Sequence, residues 1–466
     1  MKSARPTPHD PWHRSLGRRD VLKLGAAVAA GGAMSSLLAA CGSRVASPAS
    51  LPPSPDAVSG PITLLTGGGD PTAEPSTNKV FEDFRSQHPG VEWDIRVLPG
   101  GGPEWDRLAR AQLAAGEPVG LVIINGQQVR GWVRDGLLAD LEADPRLSNV
   151  LARVPPQFHL GGSGEKTTRA FPLAMTRGVD TTGMYYNKAL LDRASLAPPT
   201  SIADLKAMVG PLAALGVAPL VHCSGDVFFN QILVTWLLPM IAERSRDPIA
   251  FVERTVRGEV PYDSPEWLET FETIADLRTS GVLLAGSGAT DYAAMQQRLL
   301  QGKAAMTFQG TWLLPALQAG TPTVDFDLHV VPPPLVEGAR RPRPILAWAG
   351  FALPTAAPAS SRDSVHAFLE YASRPQVDKA VVAGIQVYSP LKDSNLAIEN
   401  PVAKEFLPMF EDAITSLDWL WEPEVKDEID SQVQALVKGA TDPRSAGAAV
   451  ESVAQELRAS GRSYYP

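Results

Sequence analysis

Apolar positions from residue 61 onward fall into two alternating rhythms. Pro61-Ile62-Thr63-Leu64-Leu65-Thr66 is a short, nearly continuous apolar run stopped by Gly67, Gly68 and Gly69, and it reads as a buried strand. Between Thr77 and His88, Val80, Phe81 and Phe84 recur at helical spacing, and Pro89-Gly90 ends the helix. Val91 to Val97 alternates as a half-buried strand does; Trp105 to Ala115 reads as helix, Leu121-Val122-Ile123-Ile124 as strand and Val129 to Gly136 as helix. Strand and helix succeed one another at βαβ spacing, which predicts an α/β fold with a mostly parallel sheet covered on both faces. Further helices are predicted at 201–215, 264–280, 289–301, 361–373 and 423–438, and no short internal repeat is visible.

The first forty residues follow a different rule. Arg18 and Arg19 stand in the run GRRDVLK ahead of a modestly apolar stretch from Leu24 to Ala40, a charged region followed by an apolar one. The paired arginines resemble a twin-arginine export signal, and Leu38-Ala39-Ala40-Cys41 resembles a bacterial lipobox, whose cysteine takes a diacylglycerol before cleavage. Residues 1–40 are therefore expected to be a lipoprotein signal, with Cys41 lipidated and the chain held at the outer face of the cytoplasmic membrane. A stretch of about 17 residues rich in Gly, Ala and Ser is too short and weak for a comfortable membrane span. Residues 41–60, proline-rich and without periodicity, are expected to form a tether.

Removing residues 1–40 takes away six Lys/Arg and two Asp/Glu, leaving 36 basic and 49 acidic residues and a net charge of −13. Nucleic acid is then a poor partner, since its binding depends on phosphate neutralisation. The only cysteines are Cys41 and Cys223, so no disulfide is expected within the chain and stability must come from its cores. Seven histidines are scattered without zinc-ligand spacing. Neither a nucleophile elbow nor a Walker A sequence is present, and Gly161 to Thr167 reads as a turn. No metal, no cofactor and no catalytic activity are expected.

Several segments, in order along the chain, carry a resemblance to a known family. Gly136-Leu137-Leu138-Ala139-Asp140-Leu141, Phe171-Pro172-Leu173, Gly183-Met184-Tyr185-Tyr186-Asn187-Lys188-Ala189-Leu190-Leu191 and Pro198-Pro199-Thr200-Ser201 are followed by Gly302-Lys303-Ala304-Ala305-Met306 and Gly310-Thr311-Trp312. Together they resemble the extracellular solute-binding proteins of ABC importers, specifically the sugar-binding group that includes maltose-binding proteins. The resemblance implies a periplasmic-binding-protein-like α/β fold of type II, two α/β lobes joined by crossing hinge segments that close over a ligand. It implies a first lobe of 61–172 plus 303–346 and a second of 173–302 plus 347–466. It implies a carbohydrate ligand, a mono- or oligosaccharide, delivered to the membrane permease of an ABC importer, and a monomer is expected. The rivals from other classes are a non-sugar solute such as a glycerophosphodiester on the same fold, and an extracellular hydrolase.

A sugar presents hydroxyls at its rim and aliphatic C–H patches on its faces, which sites meet with carboxylates, amides and Arg, and with aromatic rings. By the resemblance, Asp70 falls where maltose-binding proteins place a sugar-binding aspartate; the other reading is a turn or helix-cap carboxylate. Asn125 and Gln127 follow the strand ending at Ile124, amides where maltose binders carry an aspartate and an arginine. Arg177 and Asp180 lie between the crossing strand and Tyr185, as cleft residues or as a pair with each other. Asp226 with Phe228 resembles the family's acidic-x-aromatic pair, with Phe229 adjacent. Trp312 matches the tryptophan that forms the family's stacking platform, and Trp348 is a further cleft candidate. Of Trp419 and Trp421, two apart, one is expected to face the sugar. Trp93, Trp132, Trp236 and Trp267 are expected in the packing.

Overall fold

The computed structural model describes residues 58–67, 70–99, 103–161 and 167–463. Arg18, Arg19, Cys41 and most of the proline-rich stretch lie outside these residues, as do residues 162–166 of the segment expected to turn. Strand β1 (Ser59–Thr66) buries its last five residues, which a strand covered on both faces requires and which explains why its sequence is a run and not an alternation. β2 (Gly90–Val97) pairs with it in parallel, from Ser59 opposite Gly90 to Thr66 opposite Val97, and β3 (Leu121–Asn125) joins its other side, also parallel. Helix α1 (Pro75–Gln87) opens on Pro75, whose missing N–H costs nothing in a first turn, and buries Thr77, Val80, Phe81 and Phe84 along one stripe. α2 (Pro103–Ala114) links β2 to β3, and α3 (Gly126–Arg134) follows β3 directly.

The strands run in the order β2-β1-β3-β9-β5-β7-β6. In chain order the later ones are β4 (Ala170–Phe171), β5 (Val179–Asn187), β6 (Ala218–Leu220), β7 (Ala304–Gly310), β8 (Leu328–Val331), β9 (Ile345–Ala352) and β10 (Ile414–Thr415). β5 and β9 join the halves. Residues 349–352 of β9 run antiparallel to β3, while 346–348 pair with 179–181 of β5. The rest of β5 pairs with β7 and β8, and β7 takes β6 in parallel. Each crossing strand is thus hydrogen-bonded into both α/β halves, which makes this an α/β fold of two lobes joined by crossing strands.

Around β1–β3 the core holds Ile62, Leu64, Phe81, Phe84, Trp132, Phe351 and Phe368, and a second core holds Met184, Leu233, Trp236, Trp267, Phe271, Phe308, Ile429 and Val433. Trp132, Trp236 and Trp267 are fully buried, and half-buried Trp93 meets Phe81 edge to face at 4.8 Å. The course of the chain between the halves differs from the expected allotment. β7, inside 303–346, pairs with β5 and β6 and adds Met306 and Phe308 to the second core. Helix Ala359–Ala372, inside 347–466, sets Phe368 against Phe81 at 5.5 Å and Trp93 at 4.7 Å, on the side of β1 and β2. The reason is that β9 carries the chain back to β3, and only at β10 and the helix Pro423–Lys438 does it return to the second core.

Candidate ligand cleft

In α/β sheets the loops at the carboxyl ends of parallel strands are where ligands bind. Here those ends carry Gly67 and Asp70 beyond β1 and Asn125 at the end of β3, and Asn125 stands in register with Ala349 of the crossing strand β9. Asp70 caps the turn Pro71–Ala73, its Oδ1 accepting from Thr72 N at 2.8 Å and Thr72 Oγ1 at 2.6 Å, and it is exposed. Asn125 is exposed, its backbone N–H donating to Gln128 Oε1 at 3.2 Å, and Gln127 is half-buried in the first turn of α3.

Gly126 explains the next layer. A Cβ there would come within 2.3 Å of the Trp419 ring, so the absence of a side chain lets the indole lie against the start of α3. Trp419 in turn meets Trp348 edge to face, centroids 5.5 Å apart and planes at 87°. Both are largely buried at the seam of the halves. Of the two neighbouring tryptophans, Trp421 packs its ring on Trp267 at 5.9 Å in the second core, and Trp419 is the one that reaches α3.

On the crossing strand β5, Asp180 accepts a short hydrogen bond from Thr311 Oγ1. Burial pushes its carboxyl up to about 6, against the opposing pull of that hydrogen bond and of the nearby Arg177 guanidinium. Arg177 and Asp180 are therefore electrostatic neighbours, with Arg177 exposed in the left-handed region at φ 72. Trp312, next to Thr311, packs against apolar side chains of both cores, and its ring lies on Gly310, where a Cβ would come within 2.1 Å. Its Nε1 finds no hydrogen-bond partner among the described residues.

Asp226 opens the turn Val227–Asn230, and its Oδ2 accepts from the Tyr292 backbone N–H at 2.7 Å. Phe229 stacks on the Tyr292 ring, 4.6 Å apart and within 7° of parallel, and it also touches both cores. Phe228 points the other way: it is 45 % exposed, meets Phe229 edge to face at 5.6 Å, and has Lys426 Nζ 4.5 Å from its ring centroid. Burial, then Cys223 and Asp180, raises the Tyr292 phenol above its ordinary value.

Three groupings result: Asp180 with Thr311 and Trp312, Asp226 with Phe229 and Tyr292, and Trp348 with Trp419 and Gly126. Asp70 bonds within its own turn. Tyr292, Thr311 and Lys426 were not among the sequence candidates; Thr311 sits inside the Gly310-Thr311-Trp312 motif, whereas Tyr292 lies 66 residues from Asp226 with nothing in the spacing to link them. Rings beside carboxylates and amides suit a polyhydroxylated ligand, whose C–H faces and hydroxyls they match. Among the described residues no cluster of three His, Cys, Asp or Glu side chains could hold a metal, and no helix is long and apolar enough to cross a membrane.

Residues 79–406 match the family described as bacterial extracellular solute-binding protein. The chain belongs to this family. It is a family of solute-binding proteins and not of enzymes. Relatives include a probable sugar-binding periplasmic protein of Brucella suis, 24 % identical over 254 residues, 53 % of this chain and 55 % of that one. Another probable sugar-binding periplasmic protein, from Rhizobium meliloti, is 27 % identical over 158 residues, 34 % of this chain and 36 % of that one. The chain thus spans about half the length of the Brucella relative and less of the other. Solved structures with the same fold include the GacH receptor of Streptomyces glaucescens, studied unliganded and with acarbose, with a TM-score of 0.69, 20 % identity, and coverage of 86 % of this chain and 98 % of that one. A chitin oligosaccharide binding protein gives 0.71 and 19 %, covering 86 % and 99 %, and maltose-bound MalE3 of T. maritima gives 0.67 and 18 %, covering 85 % and 99 %.

Proposed function

We propose that this solute-binding protein takes a mono- or oligosaccharide between its two lobes and delivers it to the permease of an ABC importer, from a position fixed by lipid on Cys41 at the outer face of the cytoplasmic membrane. The observation that carries the reading is the seam formed by the crossing strands: Trp312 and Phe229 touch both cores, with Asp180 and Asp226 beside them. The names of the relatives, and the sugars in the titles of the structural neighbours, support it. Rings would cover the C–H faces of the sugar and the carboxylates, with Asn125 and Gln127 across the cleft, would accept and donate at its hydroxyls. Arg177 is the one arginine among the candidates, which gives a phosphodiester little to hold.

Thermal melting with a panel of mono- and oligosaccharides tests this, because a ligand bound only by the native state raises the melting temperature. Stabilisation by at least one sugar is the expected outcome. Stabilisation only by a peptide, polyamine or inorganic ion would replace the carbohydrate with that class.

A further inference from the structure

We infer that Lys426 is a positioning residue that holds the Phe228 ring in place as a ligand platform, an inference that rests on the carbohydrate reading above. Phe228 is a large apolar side chain 45 % exposed, in a turn of only four residues, so packing alone leaves its ring poorly fixed. One edge is set by Phe229. One face is set by Lys426, whose ammonium lies 4.5 Å from the ring centroid, within cation–π range.

Lys426 itself has little freedom. It is only 4 % exposed in the first turns of the helix Pro423–Lys438, and a buried ammonium is costly unless paired. Its partner is Asp430, one turn on and 1 % exposed, with Nζ 2.6 Å from Oδ2. Asp418, buried in the turn Leu417–Leu420, and exposed Asp427 add negative potential around the same ammonium. The helix is also tied to the turn that carries Phe228. Asn230 Nδ2 donates to the Asp430 carbonyl at 3.1 Å, Ser224 Oγ donates to Asn230 Oδ1 at 2.7 Å, and Gln434 Nε2 donates to the Ser224 carbonyl at 2.7 Å. The ring, the cation and the carboxylate therefore form one unit, with the cation over the ring of a side chain that stays 45 % exposed.

Removing Lys426 alone would strand Asp430, so the test removes both charges together with Lys426→Met and Asp430→Leu, a replacement buried ion pairs often tolerate. Affinity for maltotetraose and chitotetraose is measured by calorimetry in the wild type, Phe228→Leu, the charge-free pair, and the triple variant. A positioning role predicts that the charge-free pair weakens binding about five- to tenfold beside Phe228, yet less than about twofold once Phe228 is Leu. Equal losses in both backgrounds, or no loss beside Phe228, would overturn it. If neither sugar binds the wild type, the carbohydrate reading loses these ligands and the inference is decided on the unliganded protein with lysine-selective ¹³C labelling. There the Lys426 Hε signals should be shifted upfield by the ring and return toward ordinary lysine values in Phe228→Leu; signals that do not move reject the contact.

Discussion

Asp180 is a carboxyl whose chemistry the fold changes within the proposed site. Loss of water pushes its carboxyl up to about 6, with the Thr311 hydrogen bond and Arg177 only partly offsetting it. A carboxyl raised in the folded state holds its proton more tightly there than in the unfolded chain. Its contribution to stability is therefore full below about pH 4 and is lost as pH rises through about 6. Replacing it with Asn should remove that part of the pH dependence, so that melting temperature relative to wild type rises between pH 4 and pH 7. A difference that stays flat across this window would contradict the assigned environment. The histidines bear on the same window with opposite sign, since burial lowers His222 to about 4, which is why the comparison must be between variant and wild type. For ligand, Asp180→Asn should cost roughly 10- to 100-fold in affinity at pH 7.5, the range for a lost charge-assisted hydrogen bond. Calorimetry with a sugar that stabilises the wild type measures it.

At the level of elements, the hinge is tested through a glycine. Gly178 precedes crossing strand β5 at φ 68, and a Cβ there would lie 2.0 Å from the Tyr388 carbonyl, the acceptor of the Val179 N–H. Gly116 has φ 75 and nothing within 4 Å. Alanine at 116 should cost only the left-handed penalty of about 1 kcal/mol, whereas alanine at 178 should cost about 2–3 kcal/mol or more. Chemical denaturation of the two variants compares them, and equal losses would mean that the Tyr388 contact is easily relieved. β1, α1, β2, α2, β3 and α3 were all readable because each buries one face or one run. The predicted helix at 201–215 proved to be two short ones, Ile202–Ala207 and Val209–Ala213. Helix Gln231–Ala242 gave no periodic signal because every one of its residues is buried. The bounds of the two lobes rest on the family resemblance, since periodicity reports which face is covered and not which core covers it. Trp312 and Asp226 were reachable through motifs, while Tyr292, Phe229 against both cores, and Lys426 under Phe228 depend on contacts between distant segments.

For the whole molecule, two cores joined by β5 and β9 allow the halves to move about a few residues while each stays intact. Ligand binding should therefore contract the protein without loss of secondary structure. In cells fed labelled fatty acid, the wild type should incorporate the label and Cys41→Ser should not; equal labelling of the two would contradict a lipid on Cys41. If a carbohydrate sits between the lobes against Trp312, calorimetric titration with one stabilising oligosaccharide should show saturable one-to-one binding to the wild type and binding roughly tenfold weaker to Trp312→Ala; equal affinities would place the sugar elsewhere.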